Sequence, residues 1–139
     1  MPTILVVDDH EEIREALAEI LEEEGHEVPQ AVDGLDALEM VAAALPDVIL
    51  LDIAMPGIDG LETLRRLKEK PESANLPVIM VTAQGDRQNM VKAVQLGVRD
   101  YVTKPWEPGE VEMCVNWAIK AAAVTSVQHQ EPPLLAKSA

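Results

Sequence analysis

Short apolar runs alternate five times with segments of helical period, and few folds accommodate that rhythm. "TILVV" (3–7), "DVILL" (47–51), "PVIMVT" (77–82) and "RDYVT" (99–103) are short and rich in β-branched residues, so they read as strands. "EVPQA" (27–31) is a weaker one, and Pro29 inside it implies a sheet edge. "DVILL" is the most uniformly apolar, as expected of a central strand covered on both faces. The intervening segments read as helices. The first spans about 11–24, with Ile13, Leu17, Ile20 and Leu21 on one stripe and Gly25 as its stop. The second spans about 34–44, with Leu35, Leu38 and Val41 aligned and Pro46 just beyond. Turn-rich "DIAMPGIDG" (52–60) leads into a third, marked by Leu61, Leu64 and Leu67. A fourth over 86–96 turns Met90, Val94 and Val91 inward and closes at Gly97, and a fifth covers about 108–123. Strict alternation of this kind means βαβ units: a parallel sheet with helices on both faces.

In such a sheet the carboxyl ends of the strands share one edge, and ligands bind in the crevice outside it. Asp8-Asp9 follow the first strand, Asp52 the third, and Lys104 ends the fifth. Three carboxylates brought together repel one another unless a cation sits among them, and oxygen-only ligation suits a hard ion such as Mg²⁺. The lysine adds a point charge for an anion, most naturally a phosphoryl group. The alternative use of Asp8-Asp9 is to cap the first helix, since Asp is a favoured N-cap; one carboxylate can cap while the other binds metal.

At 139 residues the chain suits one domain, over 1–123, followed by a flexible tail or linker over 124–139 that carries Pro132-Pro133 and no sustained period. His129 lies in that tail and reads as a solvated side chain rather than a phosphate relay or metal ligand. No apolar stretch approaches a bilayer span, and the first residues lack the regions of a signal peptide, so the expected location is the cytoplasm. Cys114 is the only cysteine and falls on the apolar stripe of the last helix, the place of a buried, inert thiol. The net charge of −14 repels nucleic acid and anionic lipid, which argues against direct contact with either. Much of it sits at Glu11, Glu12, Glu15, Glu19, Glu22, Glu23 and Glu24, best read as a solvated helix face.

Taken together, Asp8-Asp9, "AVDGLDAL" (31–38), "DIAMPGIDG", Thr82-Ala83 and Thr103-Lys104-Pro105, in this order and at these spacings, resemble the receiver domains of two-component response regulators. The resemblance covers about residues 3–120. It implies a (βα)₅ doubly wound, flavodoxin-like α/β fold with five parallel strands in the order 2-1-3-4-5. It also implies that Asp52 is the phosphoacceptor, with Asp9 a direct ligand of Mg²⁺, Asp8 acting through water, and Asp52 and the Ala54 carbonyl completing the metal site. Lys104 matches the lysine that contacts the phosphoryl oxygens, and its bond to Pro105 is cis in the family. Thr82 matches the switch hydroxyl, and Tyr101 the aromatic that changes rotamer with it. The implied partners are a sensor histidine kinase or a histidine phosphotransfer protein. Downstream stands a protein partner on the face of the fourth helix, fifth strand and fifth helix, or an output domain missing from a fragment. A monomer or weak dimer is the expected state. The chain is then a signalling phosphoacceptor rather than an enzyme, assisting only its own phosphorylation and dephosphorylation.

Ala54 and Gln84 stand where the family tunes hydrolysis of the acyl phosphate, and Ala54 has no side-chain group to hold a water. Trp106 and Trp117 belong either to the core or, if exposed, to the partner face. Three rival readings follow from the same residues. A flavin carrier of the same fold would need phosphate donors where Asp8-Asp9 stand. A haloacid-dehalogenase-type phosphatase places its nucleophile after the first strand in a D-x-D pattern, not after the third. A degenerate receiver would serve only as a structural interaction module, although every chemical position is filled here.

Overall fold

A computed structural model describes residues 1–83 and 86–123. The tail, His129 and Gln84 therefore lie outside the described residues. Ten elements follow in strict alternation: β1 (Ile4–Val7), α1 (Glu11–Glu23), β2 (Gln30–Ala31), α2 (Gly34–Ala43), β3 (Val48–Asp52), α3 (Gly60–Glu69), β4 (Val78–Ala83), α4 (Arg87–Gln95), β5 (Asp100–Lys104) and α5 (Glu110–Ala123). The five strands form one parallel sheet in the order β2-β1-β3-β4-β5. This is the doubly wound α/β arrangement that the alternation requires.

Each apolar strand feeds two cores, because successive side chains point to opposite faces. Ile4 and Val6 of β1, Val48 and Leu50 of β3 and Ile79 and Val81 of β4 pack under α1 and α5, against Leu17, Leu21, Val111, Val115 and Ala118. Leu5, Val7, Ile49, Leu51, Val78 and Met80 face the other way, against Ala37 and Val41 of α2, Leu64 and Leu67 of α3 and Ala93 of α4. Burial of each large aliphatic side chain contributes about 1.5–3 kcal/mol. Cys114, the one cysteine of the sequence, is fully buried in the first of these cores. The seven glutamates of the first helical segment are all exposed.

Sheet-edge placement of β2 follows from Pro29, whose ring nitrogen has no proton to donate. Its carbonyl still accepts from Val6 N at 3.0 Å, but the regular strand shrinks to two residues. α2 and α3 are capped by Asp33 and Asp59, which accept from Asp36 N and Glu62 N, each at 2.8 Å. α1 is not capped by Asp8 or Asp9. His10 occupies its N-cap position and makes no side-chain cap, while Asp8 takes the His10 N–H one residue outside the helix. Gly25 and Gly97, both at φ +90°, end the turns after α1 and α4 in the left-handed conformation that only glycine adopts freely.

Two helix faces differ from the sequence expectation. Leu35 is 54% exposed, because α2 approaches its neighbour through Gly34, whose missing Cβ lets Thr63 and Ile58 come close. The buried row is thus Gly34, Ala37 and Val41. On α4 the buried residue is Ala93, whereas Val91 and Val94 are 56% and 44% exposed. A small side chain lets this helix sit close to the sheet, and the larger residues on either side of it turn outward.

Gly60 holds the turn after β3 in place: its N–H donates to Ile53 O at 2.8 Å. A Cβ there would overlap the Asp52 carbonyl oxygen and stand 2.7 Å from Ile53 Cα, both rigid backbone atoms. Gly60→Ala is therefore expected to destabilise the fold by about 3 kcal/mol, a loss that urea unfolding of the purified protein will measure.

Candidate functional site

β1 and β3 are neighbours in the centre of the sheet, so Asp8-Asp9 and Asp52 emerge side by side at its carboxyl edge. β5 lies two strands away from β3, beyond β4. The Lys104 side chain crosses that gap: its ammonium donates to Asp8 Oδ2 at 2.9 Å and stands 3.3 Å from Asp52 Oδ1. Asp8 and Asp52 are buried, and Asp9 is 26% exposed. Arg14, reaching back from α1, donates to the Asp8 carbonyl at 2.8 Å and fixes the backbone that carries the pair.

Thr82, the next-to-last residue of β4, is in register with Thr103 and is buried, its hydroxyl donating to Ala83 O at 3.4 Å. Tyr101 pairs with Met80 and is half-buried against the core under α2, α3 and α4. Ala54, two residues beyond Asp52, is exposed in the turn. The Lys104–Pro105 peptide is cis. Trp106 and Trp117 are both half-buried, with Trp106 packed against the core under α1 and α5. The fold thus brings Asp8, Asp9, Asp52 and Lys104 together at one place, with Thr82 at the neighbouring strand end and Tyr101 further back along β5.

The electrostatics follow from crowding. Burial and the nearby Asp8 carboxylate push the Asp52 carboxyl up from 3.8 to about 6, although Lys104 pulls the other way. Burial lowers the Lys104 ammonium, but its bonds to Asp8 and Asp52 outweigh that, so it is held above its ordinary value. One cation thus faces three carboxylates. Asp9 Oδ1 is buried and accepts no hydrogen bond among the described residues. Donor atoms of Asp8, Asp9, Asp52 and His10 lie within 4.8 Å of one another. An oxygen-rich set with excess negative charge and an orphaned acceptor fits a hard divalent ion such as Mg²⁺. Sequence reasoning passed over His10, whose Nδ1 stands 3.2 Å from Asp8 Oδ1 and 3.3 Å from Asp9 Oδ1. Its only signal was its position, directly after the paired aspartates.

A doubly wound sheet with an acidic cluster and a lysine at its carboxyl edge is the arrangement of receiver domains in signalling regulators. The family model of the response regulator receiver domain matches residues 4–116. The chain is 39% identical over 130 residues to the transcriptional regulatory protein ResD of Bacillus subtilis (strain 168), covering 94% of this chain and 53% of that protein. It is 41% identical over 109 residues to the phosphate regulon transcriptional regulatory protein PhoB of Pseudomonas aeruginosa, covering 78% and 48%. A crystal structure of a putative response regulator from Chloroflexus aurantiacus superposes with a TM-score of 0.83 at 36% identity, covering 86% of this chain and 98% of that one. The chain belongs to the receiver domains of two-component response regulators. It spans about half the length of the curated relatives it matches. Among the described residues, no helix is long and apolar enough to cross a membrane.

The raised Asp52 carboxyl has a consequence for stability. Between about pH 4 and about pH 6 the native state holds a proton that the unfolded chain has released, so stability falls as pH rises through that window. In EDTA at pH 7, Asp52→Asn is expected to unfold at higher urea, by about 1–2 kcal/mol after allowance for solvent screening. The variant should also lose most of the slope between about pH 4 and about pH 6, which urea titrations at several pH values will show.

Proposed function

We propose that this chain accepts a phosphoryl group on Asp52 from the phosphohistidine of a sensor histidine kinase or a histidine phosphotransfer protein in the cytoplasm. The observation that carries this reading is the buried Asp52 carboxylate at the end of the central strand, 3.3 Å from a lysine ammonium and beside two further carboxylates. A carboxylate oxygen of Asp52 attacks phosphorus, the P–N bond of the donor breaks, and the departing imidazole keeps the electron pair and takes a proton. The product is an acyl phosphate, reactive enough to serve as a reversible signal.

Asp9, Asp8, Asp52 and the Ala54 carbonyl are the groups that would hold Mg²⁺, which when bound offsets charge on the transferring group. Lys104 binds the phosphoryl oxygens once they arrive, exchanging its present carboxylate partners for them. Thr82, whose hydroxyl makes only a long bond to Ala83 O among the described residues, donates to the same oxygens. Phosphorylation adds roughly two negative charges beside these residues. That addition favours a second arrangement of Thr82 and Tyr101, and with them of the face formed by α4, β5 and α5. Output then passes through protein–protein contact on that face, or through a domain of a longer regulator, and not through nucleic-acid contact by this acidic domain itself. The chain acts as a phosphoacceptor that assists its own phosphorylation and dephosphorylation, not as a turnover enzyme.

Acetyl phosphate with Mg²⁺, followed by intact-mass measurement, tests the reading. Wild type is expected to gain one phosphoryl group, and neither Asp52→Asn nor EDTA-treated wild type should do so. An unmodified wild type that still binds Mg²⁺ would replace this reading with that of a structural interaction module.

A further inference from the structure

His10 stands at the mouth of the acidic cluster and has no part in the reading above. Its backbone N–H donates to Asp8 Oδ1 at 2.8 Å, which folds the chain so that its ring turns back over the two aspartates. The ring nitrogen that faces them is Nδ1, 3.2 Å from Asp8 Oδ1 and 3.3 Å from Asp9 Oδ1. Neighbouring ligands on an octahedral ion with bonds of about 2.1 Å stand about 3 Å apart. Nδ1 therefore stands at ligand-to-ligand spacing from both carboxylate oxygens, within a cluster whose donor atoms all lie within 4.8 Å of one another. Asp9 Oδ1, one of the two oxygens facing the ring, is a buried acceptor without a hydrogen bond among the described residues. His10 itself is 66% exposed, which leaves room for water at the remaining positions.

From this spacing we infer that His10 supplies a nitrogen donor to the cation site, so that the site takes imidazole-seeking divalent ions such as Ni²⁺ and Zn²⁺ in preference to Mg²⁺. In the tautomer with its proton on Nε2, Nδ1 presents a lone pair to the ion. Magnesium gains little from an imidazole and keeps its oxygen ligands and waters. Nickel and zinc gain a strong bond, on top of their generally higher affinity for mixed nitrogen and oxygen sites. The inference rests on the proposed cation site and adds to it a ligand that selects among ions. The competing role for the ring is to donate Nδ1–H to both carboxylates as an internal counter-charge, which any divalent ion would have to displace.

Isothermal titration calorimetry separates the two roles, using the full chain with His26→Gln and His129→Gln so that other imidazoles do not contribute. Mg²⁺ and Ni²⁺ are titrated separately and then in competition, with and without His10→Ala. As a ligand, His10 makes the ratio of Ni²⁺ to Mg²⁺ affinity fall at least about tenfold on substitution, and Mg²⁺ displaces Ni²⁺ competitively before it. An unchanged ratio, or affinities for both ions that rise together, overturns the inference while leaving the Mg²⁺ site standing. Absence of binding by either ion overturns both.

Discussion

The ammonium of Lys104, held between Asp8 and Asp52, is the contact on which the site depends. It joins residues 96 positions apart and makes the ends of β1, β3 and β5 a single unit. Its long stem is necessary, because β4 lies between β3 and β5 and the charge must pass over the end of that strand. Thr82 sits at that end. The order of the sheet therefore explains why a shorter cation would not reach. A buried ion pair is poor evidence of stability in itself, since desolvation offsets much of the attraction. Here the balance is unfavourable, with one cation against three carboxylates, and the raised Asp52 carboxyl records it. The resting site holds repulsion that either a cation or a proton relieves.

The two faces of the sheet are not anchored alike. α1 and α5 bury Leu17, Leu21, Val111, Cys114, Val115 and Ala118 against one face, and α3 buries Leu64 and Leu67 against the other. α4 contributes only Ala93 as a fully buried residue and leaves Val91 and Val94 in solvent. A helix held by one methyl and partly buried neighbours belongs to the low-stability end of the molecule. It is also the helix that follows β4, the strand that carries Thr82 next to its end. In the proposed reading, the element that must respond to phosphorylation is the one with the least packing to lose.

Most of the architecture was legible because a parallel sheet writes itself as apolar runs at regular intervals. β1, β3, β4 and β5 stand within a residue or two of where those runs lie, and Pro29 marked the edge strand. The gathering of Asp8, Asp9, Asp52 and Lys104 at one edge was legible for the same reason, since parallel strands share a carboxyl end. Helix faces were less so. Apolar spacing alone does not reveal that α2 and α4 approach their neighbours through Gly34 and Ala93, so Leu35, Val91 and Val94 were assigned inward. Small residues give a weak hydrophobic signal yet permit the closest contact. His10 was missed because one histidine carries no period and no spacing, only a neighbourhood.

That neighbourhood also sets the charge met by anything that approaches the acidic cluster. A cavity of about 740 Å³ opens at the edge of the cluster, lined by Asp9, His10, Glu11, Glu12, Ile13 and Lys104. Three of the six are acidic, and the exposed glutamates of α1 continue the same sign away from the mouth. In a chain of net charge −14, this field concentrates divalent cations and repels free anions, each over roughly a Debye length. A bare phosphate meets opposition that a phosphoryl group carried on a cationic or neutral protein surface does not. Ile13, half-buried at the rim, adds an apolar point against which such a surface can seat. In the proposed reading, the mouth therefore opposes a free phosphate more than a phosphoryl group brought by a docked donor, and a small activated donor enters at higher concentration. In that reading, the acidity expected to keep nucleic acid away also helps to select the source of the phosphoryl group.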